Sequence, residues 1–304
     1  MYRILITDGL DKAALAQLRQ LGFTVDEQFY PSEELGAALQ QYDAVVVRSA
    51  TKVRKEHIDL AKEGKLKLVI RGGVGVDNID VAYAEAQGIR VRNTPAASSN
   101  SVAELALAHM LSCARFVSIA GHSMRQGKWE KKAYGAGIEL SGKTLGVIGY
   151  GRIGRALGQK AQALGMQVLA YDVYQDERLV CDTMHYVSLE ELLRQSDFIS
   201  LHTPSLDATP LSCADTIAQM KDGVIFINTS RGGNVDESAL LAGLESGKVR
   251  AAGLDVFAEE PSRNEALLQH PRVSCTPHIA ASTGEAQGRI GGEVVAILQE
   301  TFGL

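Results

Sequence analysis

Residues 144–155 read Thr-Leu-Gly-Val-Ile-Gly149-Tyr-Gly151-Arg152-Ile153-Gly154-Arg, an apolar strand that runs into Gly-x-Gly-x-x-Gly at the head of an amphipathic helix, Arg152 to Leu164. Each glycine has its own task. Gly149 permits a tight turn, Gly151 lets the backbone approach a pyrophosphate, and Gly154 lets the helix lie close to the strand, while the helix N-terminus offers free amides to phosphate oxygens. Arg152 and Ile153 would make the nearest contacts. A second strand ends at Tyr171-Asp172, 18 residues after Gly154, where a carboxylate can accept hydrogen bonds from ribose hydroxyls. Its charge would repel a 2'-phosphate, and the following Val173-Tyr174 offers no arginine to receive one. NAD rather than NADP is therefore the expected cofactor.

The alternation extends in both directions from this loop. Short apolar runs recur at Ile4 to Thr7, Ala44 to Val47, Leu68 to Ile70, Val168 to Tyr171, Phe198 to Leu201, Val224 to Asn228 and Ala251 to Asp255. Amphipathic patterns such as Asp11 to Gln20 lie between most of them, which predicts an α/β fold with parallel sheets covered on both faces. The first such unit ends near residue 95, where Asn93-Thr-Pro-Ala-Ala-Ser-Ser-Asn-Ser interrupts the pattern with turn and cap residues. Val102 to Phe116 is rich in Ala, Leu and Met and reads as a long buried helix. A second unit starts at Lys143. The helix after Ser282-Thr-Gly-Glu has no strand left to serve, and periodicity alone does not say which unit it joins.

At 304 residues the chain favours two domains, and its 45% hydrophobic and 22% charged residues fit a soluble enzyme. A net charge of -5 argues against nucleic acid as a partner. The four cysteines are scattered, with no Cys-x-x-Cys pair, so neither a metal site nor a disulfide framework is expected and the thiols read as reduced and cytoplasmic. No secretory leader and no membrane span are expected.

Three residues point to a reaction. Arg231, in Asn228-Thr-Ser-Arg-Gly-Gly, presents a planar fork suited to a carboxylate. His278, in Thr276-Pro-His, is of the type whose ordinary pKa of about 6.5 suits proton transfer. Glu260, in Leu254-Asp-Val-Phe-Ala-Glu-Glu-Pro, is placed to hydrogen-bond and orient that histidine, with Glu259 as its competitor. Together they would suffice to oxidise a hydroxy acid. Gly72-Gly73-Val74-Gly75 offers a bare backbone that can form an anion nest. Arg54, Arg71, Lys131 and Lys132 are the candidate cations for a phosphorylated substrate, and His202 stands beside a cofactor loop with no evident partner.

These residues resemble the D-isomer-specific 2-hydroxyacid dehydrogenase family, most closely its D-3-phosphoglycerate dehydrogenase branch. The similar segments are Val46-Val-Arg-Ser-Ala-Thr-Lys-Val, Arg71-Gly-Gly-Val-Gly-Val-Asp-Asn-Ile-Asp, Gly127-Lys-Trp-Glu-Lys-Lys, the glycine loop, His202-Thr-Pro, Ser230-Arg-Gly-Gly-Asn-Val-Asp-Glu, Leu254 to Pro261 and Pro277-His-Ile-Ala-Ala-Ser-Thr. The resemblance implies two Rossmann-like domains with parallel sheets, an NAD-binding domain at 98–282 inserted in a substrate domain made of 1–97 and 283–304, and an active site in the cleft between them. It selects Glu260, next to Pro261, over Glu259. It assigns Asp255 to the nicotinamide carboxamide, Thr203 and Thr229 to cofactor contacts, and Val74 and Gly75 to the substrate. It also implies a homodimer contact over about 102–140, with Lys131 and Lys132 reaching the neighbouring subunit's site. The sequence stops at Leu304, so regulation by C-terminal serine-sensing domains is not expected. The implied activity is NAD-dependent oxidation of 3-phosphoglycerate to 3-phosphohydroxypyruvate, the first step towards serine. The alternatives are a glyoxylate or hydroxypyruvate reductase, another D-2-hydroxyacid dehydrogenase, or an NAD-sensing corepressor-like binding protein.

Overall fold

The computed structural model describes residues 2–205 and 210–303, and the chain divides into two compact units, Met1–Ser98 with Ala281–Leu304, and Ser99–Ala280. In chain order the first unit contains β1 (Arg3–Ile6), α1 (Lys12–Gln20), β2 (Thr24–Glu27), α2 (Ser32–Leu39), β3 (Ala44–Val47), α3 (Lys55–Ala61), β4 (Leu68–Arg71), α4 (Val81–Ala86) and β5 (Arg90–Asn93). The second unit follows with α5 (Ser99–Arg115), α6 (Val117–Arg125), β6 (Thr144–Ile148), α7 (Arg152–Ala163), β7 (Gln167–Tyr171), β8 (Met184–Tyr186), α8 (Leu189–Gln195), β9 (Phe198–Leu201), α9 (Ala214–Gln219), β10 (Val224–Asn228), α10 (Glu237–Ser246), β11 (Val249–Leu254), α11 (Glu265–Leu268) and β12 (Val273–Cys275). The last helix, α12 (Gly284–Phe302), belongs to the first unit.

Each unit is built on one parallel sheet, ordered β2-β1-β3-β4-β5 in the first and β12-β11-β10-β9-β6-β7-β8 in the second. Interior strands are buried on both faces, as in Ala44-Val-Val-Val and Val224-Ile-Phe-Ile-Asn, which is why they read as continuous apolar runs. The edge strands are the exceptions. Thr-Val-Asp-Glu of β2, Arg-Val-Arg-Asn of β5, Met-His-Tyr of β8 and Val-Ser-Cys of β12 alternate or mix exposed and buried positions, so they carry no such signal and are not visible as apolar runs. In the second unit helices cover both faces, with Phe198 on one side and Phe226 on the other, both 0% exposed.

Local chemistry explains the helix ends. Asp11 accepts hydrogen bonds from the Ala13 and Ala14 amides at the start of α1, and Thr283 accepts from the Ala286 amide at the start of α12. The latter helix packs on α1 so closely that a Cβ on Gly291 would sit 2.6 Å from the Ala14 Cβ. The expected helix from Val102 to Phe116 is α5. It ends where Phe116 takes a left-handed backbone, φ 60°, and α6 leaves at 68°. Among the described residues no single helix is long and apolar enough to cross a membrane.

Candidate active site

The glycine loop joins β6 to α7. Gly149 has φ +92°, and a Cβ there would meet the His202 carbonyl oxygen at 2.7 Å, so both conformation and space demand glycine. A Cβ on Gly154 would overlap the Gly149 carbonyl and meet Val147 Cγ1 at 3.0 Å, whereas one on Gly151 would meet nothing. No side chain caps α7, whose first helical residues are Arg152, Ile153 and Gly154. Their amides have no acceptor within the helix, and the open face at Gly151 gives a pyrophosphate access to them. Asp172, just past β7, accepts from the Tyr150 amide at 2.6 Å and the Tyr174 amide at 3.0 Å. It thus braces the glycine loop, and a carboxylate has lone pairs enough to accept ribose hydroxyls as well.

Two further cofactor candidates lie at neighbouring strand ends. Thr229 follows β10 and is 6% exposed, with a buried hydroxyl that has no partner among the described residues. A buried, unpaired hydroxyl of this kind fits a ligand contact. Thr203 Oγ1 accepts from Asn234 Nδ2 at 3.1 Å, and the same amide reaches the Pro204 carbonyl at 2.9 Å. Next to Thr203, His202 Nε2 lies 2.8 Å from Ser200 Oγ, while Nδ1 is buried without a partner among the described residues. Burial pushes this imidazole down to about 4.

The three reaction candidates come from loops that follow β10, β11 and β12, which are adjacent in the sheet. Arg231 follows β10, and its guanidinium donates to the Ser230 carbonyl at 2.7 Å. Asn228 shapes this turn, donating to the Arg231 carbonyl at 2.9 Å and accepting from the Ser230 amide and hydroxyl. Gly232 is pressed against the next loop, since a Cβ there would overlap the Phe257 carbonyl. Glu260 accepts from the Phe257 amide at 3.2 Å through Oε1 and meets His278 Nδ1 at 2.7 Å through Oε2. With Nδ1 donating to the carboxylate, the neutral imidazole keeps a lone pair on Nε2, the arrangement a general base needs.

The turn that carries His278 is held from below. Its backbone is left-handed, φ 52°, a conformation L residues rarely adopt. The His278 amide donates to the Asp255 carbonyl at 2.8 Å. The fully buried Asp255 carboxylate accepts from Ile279 N at 2.8 Å, Ala280 N at 2.9 Å and Thr276 Oγ1 at 2.6 Å. In this structure Asp255 fastens the histidine turn, a task beyond the nicotinamide contact that the resemblance implies.

The first unit gathers a different group. Arg48 follows β3 and Arg71 ends β4, and these strands pair with Val47 opposite Arg71. Asp8 accepts from the Arg48 amide at 2.7 Å and from the Thr51 amide and hydroxyl, and Asn78 Nδ2 donates to the Arg48 and Thr51 carbonyls. The Arg48 side chain lies beside Gly72, where an added Cβ would be 3.7 Å from its Cγ. Burial holds its guanidinium below its ordinary pKa, opposed by Asp8, and among the described residues it forms no ion pair. Arg71 folds back to donate to the Gly72 carbonyl at 3.3 Å, and Asn93 Nδ2 donates to the Val74 carbonyl at 2.6 Å next to Gly75. Arg54 stands apart, paired with Asp80 at 2.9 Å. Lys131 and Lys132 lie on an exposed turn of the second unit.

Sequence reading passed over Arg48, which it quoted only within Val46-Val-Arg-Ser, and named Arg54, Arg71, Lys131 and Lys132 as the cations. It also passed over Asn234 and Glu237. Glu237 accepts from the Ala258 amide and Asn264 Nδ2, both at 2.8 Å, and so anchors the loop that bears Glu260. The available signal for Arg48 was its place directly after an apolar strand.

Residues 107–280 match the NAD-binding domain of the D-isomer specific 2-hydroxyacid dehydrogenases. The chain is 47% identical to a hydroxypyruvate reductase of Thermotoga maritima, over 100% of this chain and 99% of that protein. It is 45% identical to a D-3-phosphoglycerate dehydrogenase of Pongo abelii over 97% of this chain, but spans only 55% of that protein. Its structure superposes on a D-lactate dehydrogenase of Aquifex aeolicus, complexed with NAD and lactic acid, with a TM-score of 0.86 at 31% identity, covering 97% and 94% of the two chains. The chain belongs to the D-isomer specific 2-hydroxyacid dehydrogenases, with NAD as cofactor.

The His202 imidazole, whose Nδ1 is buried, makes stability depend on pH. In the folded chain it binds its proton only below about pH 4, but in the unfolded chain below about 6.5, so the unfolded state binds more protons between these values. Acidification from pH 6.5 to 4 should therefore destabilise the fold, by at most about 3 kcal/mol from this group. In urea titrations at pH 7 and 5, His202→Asn should lose less stability on acidification than the wild type. An equal loss would remove His202 from the account.

Proposed function

We propose that this chain interconverts 3-phosphoglycerate and 3-phosphohydroxypyruvate with NAD. Arg231, Glu260 and His278, all of the second unit, supply the chemistry. Arg231 binds the substrate carboxylate and polarises the C2 oxygen. In the oxidative direction the nicotinamide supplies the acceptor for the C2 hydride. His278 Nε2 takes the hydroxyl proton while Glu260 holds Nδ1 and stabilises the imidazolium that forms. In reduction the same proton is returned to the carbonyl oxygen.

The observation that carries the phosphorylated substrate is Arg48, a half-buried cation without an ion-pair partner among the described residues, beside Gly72 and Arg71. Partial burial of an unpaired charge is costly, and a second anion on the substrate would offset that cost. Arg71 and the Val74-Gly75 backbone extend the same anion site, while Arg54 is already neutralised by Asp80. A second reading, reduction of hydroxypyruvate, is favoured by the Thermotoga relative that matches end to end. The exposed Val117, Met124 and Trp129 support a homodimer contact over 102–140, beside which Lys131 and Lys132 would lie.

Initial rates decide between these substrates. Arg48→Gln should lower kcat/KM for 3-phosphoglycerate by about 100-fold, the scale of a lost charged hydrogen bond, with less than about a threefold change for glycerate. If wild-type enzyme used glycerate as well as 3-phosphoglycerate, the phosphate assignment would fail and hydroxypyruvate would take its place. His278→Ala should lower kcat by about 100-fold or more, and an unchanged kcat would end the proton-transfer role. Sedimentation should return a dimer mass for the wild type and a monomer mass for Val117→Asp combined with Met124→Asp. A monomeric wild type would refute the contact.

A further inference from the structure

Beneath the turn that carries His278 runs a row of buried polar groups that the reaction does not use. His109, in the middle of α5, is 3% exposed. Its Nε2 lies 3.0 Å from Thr276 Oγ1, and its Nδ1 lies 3.1 Å from Ser274 Oγ. Ser274 Oγ in turn is 3.1 Å from Ser112 Oγ, which accepts from the Ser118 amide at 3.3 Å. Gly253 of β11 makes room for the ring, because a Cβ there would sit 2.5 Å from the His109 Cβ.

Asp255 fixes the direction of the bonds at Thr276. Its carboxylate already accepts from the Ile279 and Ala280 amides and has no hydrogen to give. The Thr276 hydrogen therefore points to Asp255, and the Thr276 oxygen must accept from His109 Nε2–H. That selects the tautomer protonated on Nε2, in which Nδ1 faces the Ser274 hydroxyl. Burial pushes His109 below its ordinary pKa against the opposing charge of Asp255, so the neutral ring this polarity requires is favoured at neutral pH. Both ring nitrogens lie within hydrogen-bonding distance of a hydroxyl, and a buried network with partnered groups favours one arrangement.

We infer that His109 is a positioning residue of this site: through Thr276 and Asp255 it holds residues 278–280, and with them the imidazole that exchanges the substrate proton. The inference rests on the role proposed for His278 and extends it into the core. A histidine that merely filled space in α5 would not matter to the turn, and an apolar side chain of similar size would replace it.

Two readouts test this on the full-length protein with saturating NAD. The first is amide hydrogen exchange, which is independent of turnover. His109→Met should speed exchange at Ile279 and Ala280 by about tenfold, the scale of one buried hydrogen bond, and leave the β10 amides unchanged. The second is kinetics, where the same variant should lower kcat by about tenfold with KM for NAD within about twofold. His109→Gln, whose amide can both donate to Thr276 and accept from Ser274, should restore most of both. Thr276→Val, close to threonine in shape, should reproduce the exchange change, and adding it to His109→Met should have little further effect. Unchanged exchange at 279–280 in both variants, a glutamine as poor as methionine, or additive losses would overturn the inference. A wild type inactive on every hydroxy acid would refute the reading of His278 while leaving the exchange result to judge His109.

Discussion

Two parallel neighbouring strands cannot be joined by a tight turn, so the chain must return along the sheet before each new strand begins. Every strand of a sheet then ends at the same edge, and whatever residue follows a strand is delivered there. In the second unit Gly149, Asp172, His202, Thr229, Asp255 and Thr276 stand at or within one residue of the ends of β6, β7, β9, β10, β11 and β12. In the first, Arg48 and Gly72 follow β3 and β4 in the same way. Ligand sites at the carboxyl ends of open parallel sheets follow from this connectivity.

Delivery to one edge does not by itself fix a side chain to within hydrogen-bonding tolerance. In the second unit that final precision comes from the contacts between successive loops. The Arg231 turn is wedged against the Phe257 carbonyl through Gly232, the Glu260 loop is anchored by Glu237, and the His278 turn hangs from Asp255. None of these supporting groups needs to touch a substrate. They act because the loops are short and their amides would otherwise lack acceptors.

The interior of each sheet was legible as sequence because a strand buried on both faces must be apolar throughout. The eight apolar runs are the interior strands β1, β3, β4, β6, β7, β9, β10 and β11, and the four edges, half exposed and partly polar, were not seen. The same physics governed the site. Arg231, Glu260, His278 and the glycine loop stand in local patterns with recognisable chemistry. Arg48 and His109 do not, because what distinguishes them is burial and the identity of partners far away in sequence: Arg48 depends on Asp8 and Gly72, and His109 on Ser274 and Thr276. Arg54 shows the opposite case. Its charge was visible in the sequence, but Asp80, which neutralises it, lies 26 residues away.

The hydrogen bond from the Tyr150 amide to Asp172 ties the shape of the glycine-rich turn to the carboxylate expected to face the ribose. Cofactor preference in this chain is therefore not a trait that every charge-removing substitution can exchange. Alanine or glycine at position 172 would remove the repelling charge, but would also strand a backbone donor of the glycine loop. Asparagine or serine would keep an acceptor for that amide while admitting a phosphorylated ribose. An evolutionary or engineered route towards NADP is thus narrowed to the few side chains that can replace the carboxylate's structural bond before its charge is given up.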